Sequence, residues 1–352
     1  MQGDLISVSR GSFDDFLREI PLFANLDPHA LSQVQLVARP FQVEAGTTLF
    51  RQGDPCDGLY LIKHGEIEIR RRVPGDEEVK LAVLGRSAIV GEMSALDHNP
   101  RSTHAIATAP TSGYFISSER FEVLQSDFSA AAFAVMDCFR REVAHRARTV
   151  IDAIAAFAPS VNAAPLPACG RSASWPAAAS PSSIPETLLH CLPFFRNFRT
   201  AELREFMEPL KRFDFSRGQP VYAAGEAPRS CLVIVRGALA MNLRTASGAA
   251  MFAVRGPGQM IGELALLDGG RQPLDCMARE PTIAFEVEKV YFELLRKGGS
   301  VVALRFFEAV TASAVAMLRK ANAHLARLTA DGSSRDLPGS LAVAAISAAE
   351  AT

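Results

Sequence analysis

Residues 90–103 read "VGEMSALDHNPRST". A glycine stands directly before an acid, Glu92, and a proline directly before a base, Arg101, nine positions later. The preceding "SAIV" (87–90) has strand character, and "EMSAL" supplies good helix formers where a helix would begin. The plain reading is a surface ion pair, which contributes little. A sharper reading starts from the helix end, whose unsatisfied N–H groups attract an anion that glycine allows to approach closely. Arg101 would add a bidentate guanidinium to the same anion. Glu92 would be misplaced there unless it accepts hydrogen bonds from hydroxyls, as acids do with a ribose. Phosphate plus ribose points to a nucleotide.

The chain repeats itself. "EIPLFANLDPHAL" from Glu19 resembles "CLPFFRNFRTAEL" from Cys191, and Pro21 and Pro193 are 172 positions apart. The same offset joins Gly46 to Gly218, Gly53 to Gly225 and Gly65 to Gly237. Gly91–Glu92 then falls opposite Gly262–Glu263 at an offset of 171. Such register marks a duplication, with copies of about 140 residues, too long for a solenoid repeat. The first copy is expected over 19–157, behind an N-terminal helical segment at 1–18, and the second over 184–329. Between them, 158–183 is rich in proline, alanine and serine and reads as a flexible linker. The single tryptophan, Trp175, is expected there as an exposed ring. Residues 330–352 read as a disordered tail.

Within the first copy, "SFDDFLREI" and "DPHALSQVQLV" have helical period, with Ser12 and Asp27 placed as N-caps. "LYLIKHGEIEIRRR" reverses at His64–Gly65, and Ile67 and Ile69 alternate with Glu66, Glu68 and Arg70 as a half-buried hairpin strand, polar side out. "VKLAVLG", "HAIATAP" and "GYFIS" continue the series. Many short strands with glycine punctuation predict a mainly β fold, closed or double-layered and antiparallel, with flanking helices. Each copy ends in a long helix. In the first, Met136, Val143, Val150 and Phe157 recur every seven residues, beside Phe139 and Ile154. That stripe either packs on the β core or pairs with another helix, in the same domain or in a second chain as a homodimer.

The bulk properties are ordinary: 352 residues, 48% hydrophobic, 21% charged, formal net charge −1. No basic footprint marks a nucleic-acid partner. The six cysteines, Cys56, Cys138, Cys169, Cys191, Cys231 and Cys276, show neither C-x-x-C pairs nor zinc spacing, so no metal is expected. The start lacks the pattern of a secretory signal, and no uninterrupted apolar stretch reaches membrane-spanning length; the expectation is a cytoplasmic chain without a membrane span. His64, His98 and His104 accompany no nucleophile signature, so no catalytic residue is assigned and an enzyme is not expected.

The pattern G-E-x-x-x-L, with P-R and two small residues nine positions after the glutamate, resembles the phosphate-binding cassette of the cyclic nucleotide-binding domain family. The family includes regulatory subunits of cAMP-dependent kinase, cyclic-nucleotide-gated channels and catabolite-activator regulators. Gly46, Gly53 and Gly65, with "RQGD" at 51–54, resemble its strand-turn positions. The resemblance covers 20–156 and 192–328 and implies two double-stranded β-helix (jelly-roll) domains, each followed by a long helix. It further implies that Gly91 and the following amides, through Met93 and Ser94, approach the cyclic phosphate. Glu92 would accept from the ribose 2′-hydroxyl and Arg101 would pair with the phosphate. Ser102 and Thr103 would lie near phosphate or base. The long helix from Phe128 would close as a lid, with Phe133 and Met136 as base-stacking candidates. The ligand would be cAMP or cGMP, with no cofactor required.

The second copy departs from this pattern. "IGELALLDGGRQPLD" keeps Gly262, Glu263 and Leu266, with Leu264 a further candidate beside them, but the arginine position is Gln272 and the proline position is Arg271. Glutamine cannot neutralise a phosphate. Arg271 could reach in from one position earlier; otherwise this copy is a structural or partner-binding domain. Neither direct transcription control through a helix-turn-helix after the second long helix nor kinase inhibition through an Arg-Arg motif ahead of the first copy is expected. Two readings result: a cyclic nucleotide sensor, probed through helix position by an unidentified protein partner, or a ligand-free interaction scaffold with an internal Glu92–Arg101 pair.

Overall fold

The computed structural model describes residues 10–72, 78–127, 129–157, 175–181, 184–245 and 248–330. Two compact units divide between Phe139 and Arg140. The packing boundary therefore falls earlier than the end of the sequence repeat at 157, inside a helix.

The first unit opens with α1 (Arg10–Glu19) and α2 (Pro28–Val37). Asp27 caps α2 as its spacing predicts, its Oδ1 accepting from Ala30 N–H at 2.9 Å. Ser12 does not start α1: the helix already runs from Arg10. The strands are β1 (Arg39–Val43), β2 (Thr48–Phe50), β3 (Gly58–His64), β4 (Ile67–Arg72), β5 (Glu78–Leu84), β6 (Ile89–Val90), β7 (His104–Ala107) and β8 (Thr111–Ser117). They form two antiparallel four-stranded sheets, β1-β8-β3-β6 and β2-β7-β4-β5, the jelly roll that the family resemblance implies. Register puts Phe50, Ile67, Ile69, Ala82, Leu84, Ala105 and Ala107 on one shared, buried face. That face is the inside of the roll. Glu68 is the exception to the expected outward polar set. It is only 7% exposed, because Arg70 Nε and Lys80 Nζ (2.8 Å) close over its carboxylate. Hydrogen bonding from Lys80 above all holds its carboxyl below the usual range. Between β6 and β7 lies α3 (Glu92–Asp97), and α4 (Ser118–Ser126) leads into α5 (Ala130–Phe157).

The second unit repeats the plan. After α6 (Glu186–His190) and α7 (Thr200–Met207) come β9 (Lys211–Phe215), β10 (Pro220–Tyr222), β11 (Ser230–Arg236), β12 (Leu239–Thr245), β13 (Gly248–Arg255), β14 (Met260–Ile261), β15 (Asp275–Ala278) and β16 (Thr282–Glu288). The sheets are β14-β11-β16-β9 and β10-β15-β12-β13. Then α8 (Glu263–Asp268) separates β14 from β15, and α9 (Lys289–Arg296) precedes α10 (Val301–Ala330). Phe195, Phe206, Phe292 and Phe306 meet within 6.5 Å between ring centroids and are fully buried. Each contributes about 1.5–3 kcal/mol by area removed from water.

Three expectations meet the structure here. Met136, Phe139, Val143, Val150 and Ile154 are each at most 4% exposed, so the seven-residue stripe is packed inside the chain, one of the alternatives open to it. The side chain of Phe157 lies outside the described residues. Helix α10 is long and apolar enough to cross a membrane, yet most of that length is buried in its own unit, by Phe306, Phe307, Val310, Ala314, Val315 and Leu318 among others. Its apolarity serves a core. Finally, Trp175 is docked: its Nε1–H donates to Val221 O at 2.8 Å, and its ring meets Phe213 edge-on at 4.8 Å. Ala179 pairs with Arg212 as an isolated antiparallel bridge. A large amphipathic ring with one donor settles where both needs are met. Residues 158–174, 182–183 and 331–352, which carry the rest of the expected linker and tail, lie outside the described residues, as do 1–9.

Candidate functional site

In the first roll the site forms where β6 ends. Gly91 adopts φ 89°, the left-handed turn that starts α3, and a Cβ there would collide with Arg101 Nη1. His98 closes the helix, also left-handed, with its N–H on Ser94 O at 2.9 Å. Asn99 and Pro100 then return the chain, so Arg101 comes back beside Gly91, donating from Nη1 to Gly91 O at 2.9 Å. The nine-residue spacing is thus a six-residue helix and a return turn.

Arg101 is only 2% exposed. Its Nη2 meets the Asp57 carboxylate and donates to Gly58 O at 2.6 Å, while its guanidinium lies 4.0 Å over the Phe50 ring. Its Nε is buried and has no hydrogen-bond partner among the described residues. Glu92 is 5% exposed and Met93 and Ser94 are buried, with Ser94 Oγ donating to Pro100 O at 3.3 Å. Ser102 and Thr103 are half-buried at the same rim. The proposed set Gly91, Glu92, Met93, Ser94, Arg101, Ser102 and Thr103 is therefore one contiguous cassette. Phe133 and Met136 on α5 are each 2% exposed.

Two contributors escaped the sequence reading. Asp57 comes from the turn before β3, and Tyr60 donates to its Oδ2 at 3.3 Å. Burial first, then the Asp57 charge, pushes the Tyr60 hydroxyl up to about 12. The only signal was an acid just ahead of an apolar strand in "RQGDPCDGLYLI"; nothing local says that it meets a residue 44 positions away.

The second roll keeps the frame and changes the chemistry. Gly262 (φ 83°) starts α8, and Glu263, Leu264 and Gln272 are all buried. Arg271 does not reach in. It is exposed and donates to Gly225 O at 2.8 Å, because Gln272 N–H, bonded to Glu226 O, fixes the return strand one residue later. Glu263 is 1% exposed; Ser313 of α10 donates to its Oε1 at 2.6 Å, and burial raises its carboxyl against the opposing charge of Arg255. The cassette's C-terminal end is held from residues 140–157: Arg148 Nε and Nη2 grip both oxygens of Asp268 at 2.6 and 2.9 Å, and Nη1 reaches Arg271 O. The described cysteines are all free thiols.

The family model described as "Cyclic nucleotide-binding domain" matches residues 40–127 and 212–298. A stretch of 92 residues is 34% identical to a CRP-like cAMP-activated global transcriptional regulator of Mycobacterium tuberculosis, covering 26% of this chain and 41% of that one. The cyclic AMP receptor protein of Thermus thermophilus is 38% identical over 94 residues, 26% of this chain and 42% of the relative. A cAMP-dependent protein kinase regulatory subunit of Colletotrichum orbiculare is 29% identical over 99 residues, 28% and 25% of the two chains. The matched stretches thus span less than half of each relative. Among solved structures, the regulatory domain of Toxoplasma gondii PKA with cAMP aligns over 82% of this chain and 93% of that one, at 18% identity and a TM-score of 0.33.

Proposed function

Because the chain belongs to the cyclic nucleotide-binding domain family and carries two copies of that domain, we propose that it is a non-enzymatic sensor whose first copy takes cAMP. The phosphate would lie against Gly91 and Arg101, and the ribose hydroxyl would donate to Glu92. Closure of α5 over the ligand would change the surface read by a protein partner. Arg101 carries this reading: a guanidinium 2% exposed, with a buried Nε lacking a partner among the described residues, beside the glycine that starts α3. The names of the Mycobacterium and Thermus relatives favour cAMP over cGMP. The energy for signalling is only the difference in ligand affinity between closed and open α5.

One observation favours the second reading, a ligand-free interaction scaffold: Asp57 already sits against Arg101. Isothermal titration of nucleotide-stripped protein with cAMP and with cGMP separates the two. The sensor predicts one saturable site per chain, weakened about a hundredfold or more in Arg101→Ala. Absence of binding by either nucleotide at millimolar concentration would falsify the sensor and leave the scaffold.

A further inference from the structure

The inner face of the second roll holds a cation that the first roll lacks. Register places Arg255 opposite Leu239, which pairs in turn with Ala278, on the same face as Met241, Ala253 and Cys276. The matching position in the first roll is Leu84, opposite Ile67, itself 2% exposed. The second copy has thus exchanged an interior leucine for an arginine, while its cassette has exchanged an arginine for Gln272.

Arg255 is 8% exposed, and both its Nε and Nη2 are buried without a hydrogen-bond partner among the described residues. These two nitrogens form the edge of the guanidinium that grips a carboxylate at two points. This chain uses that edge repeatedly: Arg148 on Asp268, Arg204 on Glu186, Arg212 on Asp214 and Arg244 on Asp275. In Arg255 the same edge is buried on the inner face and makes no hydrogen bond among the described residues. An uncompensated buried guanidinium is costly, and an anion offsets that cost.

The surroundings fit an anion that also carries hydroxyls. Glu263 feels the charge of Arg255, but its Oε1 is bound to Ser313 rather than to the guanidinium, which leaves acceptor capacity for a ligand hydroxyl. Lys320 on α10 also feels Arg255, and burial followed by that repulsion holds its ammonium below the usual lysine range. A negative group near Arg255 relieves both like charges.

We propose that the second roll binds a small hydroxylated organic anion, its carboxylate or phosphate seated on the Nε–Nη2 edge of Arg255 and its hydroxyl donating to Glu263. This site is independent of the first-copy reading, since it uses neither Arg101 nor its cassette. The test titrates the full chain, wild type and Arg101→Ala, with ribose 5-phosphate, with gluconate and with neutral ribose. The expected result is one saturable site for a phosphate or carboxylate sugar, present in both proteins and absent for ribose. Ribose 5-phosphate against gluconate tells which anionic head is preferred. Arg255→Leu restores the residue of the first roll and should fold, as far-UV circular dichroism checks; it should weaken the anion by roughly tenfold to a hundredfold. Arg255→Lys, which keeps the charge and loses the two-point edge, should fall between. Binding of neither anion at millimolar concentration, or equal binding by Arg255→Leu, overturns the proposal.

Discussion

Arg101 and Glu263 show what burial does to single charges in this fold. Asp57, about half exposed at its side chain, neutralises Arg101 from the solvent side. Asp57→Asn should therefore lower the melting temperature of the empty protein and enlarge the rise on adding cAMP, because phosphate then meets an arginine with no competing carboxylate; an unchanged rise would show that Asp57 does not compete. Glu263 titrates in the opposite sense from Glu68. Burial raises its folded-state value, so the folded chain holds a proton that the unfolded chain has released, and stability falls as pH rises from the ordinary carboxylate range through the raised value. Glu263→Gln should flatten that decline in urea midpoints measured from acid to neutral pH. These details were not legible in the sequence. Gly91, Glu92 and Arg101 were, because nine positions between an acid and a base is a local spacing. Arg255 was hidden in plain alternation, and only strand-by-strand alignment of the copies, Arg255 against Leu84, exposes it.

At the scale of elements, alternation and turn signals placed most strands of the first copy: the His64–Gly65 reversal, the "HAIA" and "GYFIS" strands and the helix behind Gly91 fall where turn chemistry puts them, while β1 and β2 escaped that reading. What sequence could not supply is which element a long helix serves. The stripe of α5 has a dimer's period, yet its side chains are used inside the chain, since period reports an apolar face and not its partner. Arg148 is the clearest case. It is mostly buried against Asp268, and a Cβ at Gly270 would lie 2.6 Å from its Nη2. Arg148→Ala should cost about 2–3 kcal/mol of stability in the second unit and speed hydrogen exchange over 268–272. Gly270→Ala should do the same by displacing the guanidinium. In a double-mutant cycle the two changes should fall well short of additive; full additivity would mean that the clamp and the glycine act separately.

Over the whole molecule, one scaffold appears twice with its charges rearranged, so the two rolls should answer different ligands. The single tryptophan offers a selective reporter, since Trp175 contacts Val221, Phe213 and Phe215 of the second unit. In a denaturant series, its emission should follow that unit, and a ligand of Arg255 should raise its midpoint by mass action. The pairing of Ala179 with Arg212 has a further consequence. Strand β9 is the last in its sheet, and an uncovered outer strand is a template on which another chain can add. The short piece of linker at 175–181 acts as a guard rail at one point of that border, where Ala179 meets Arg212. Chains in which those residues are replaced by a glycine-serine spacer should still fold, but they should form concentration-dependent oligomers in light scattering, joined strand to strand at an edge that the intact linker keeps closed.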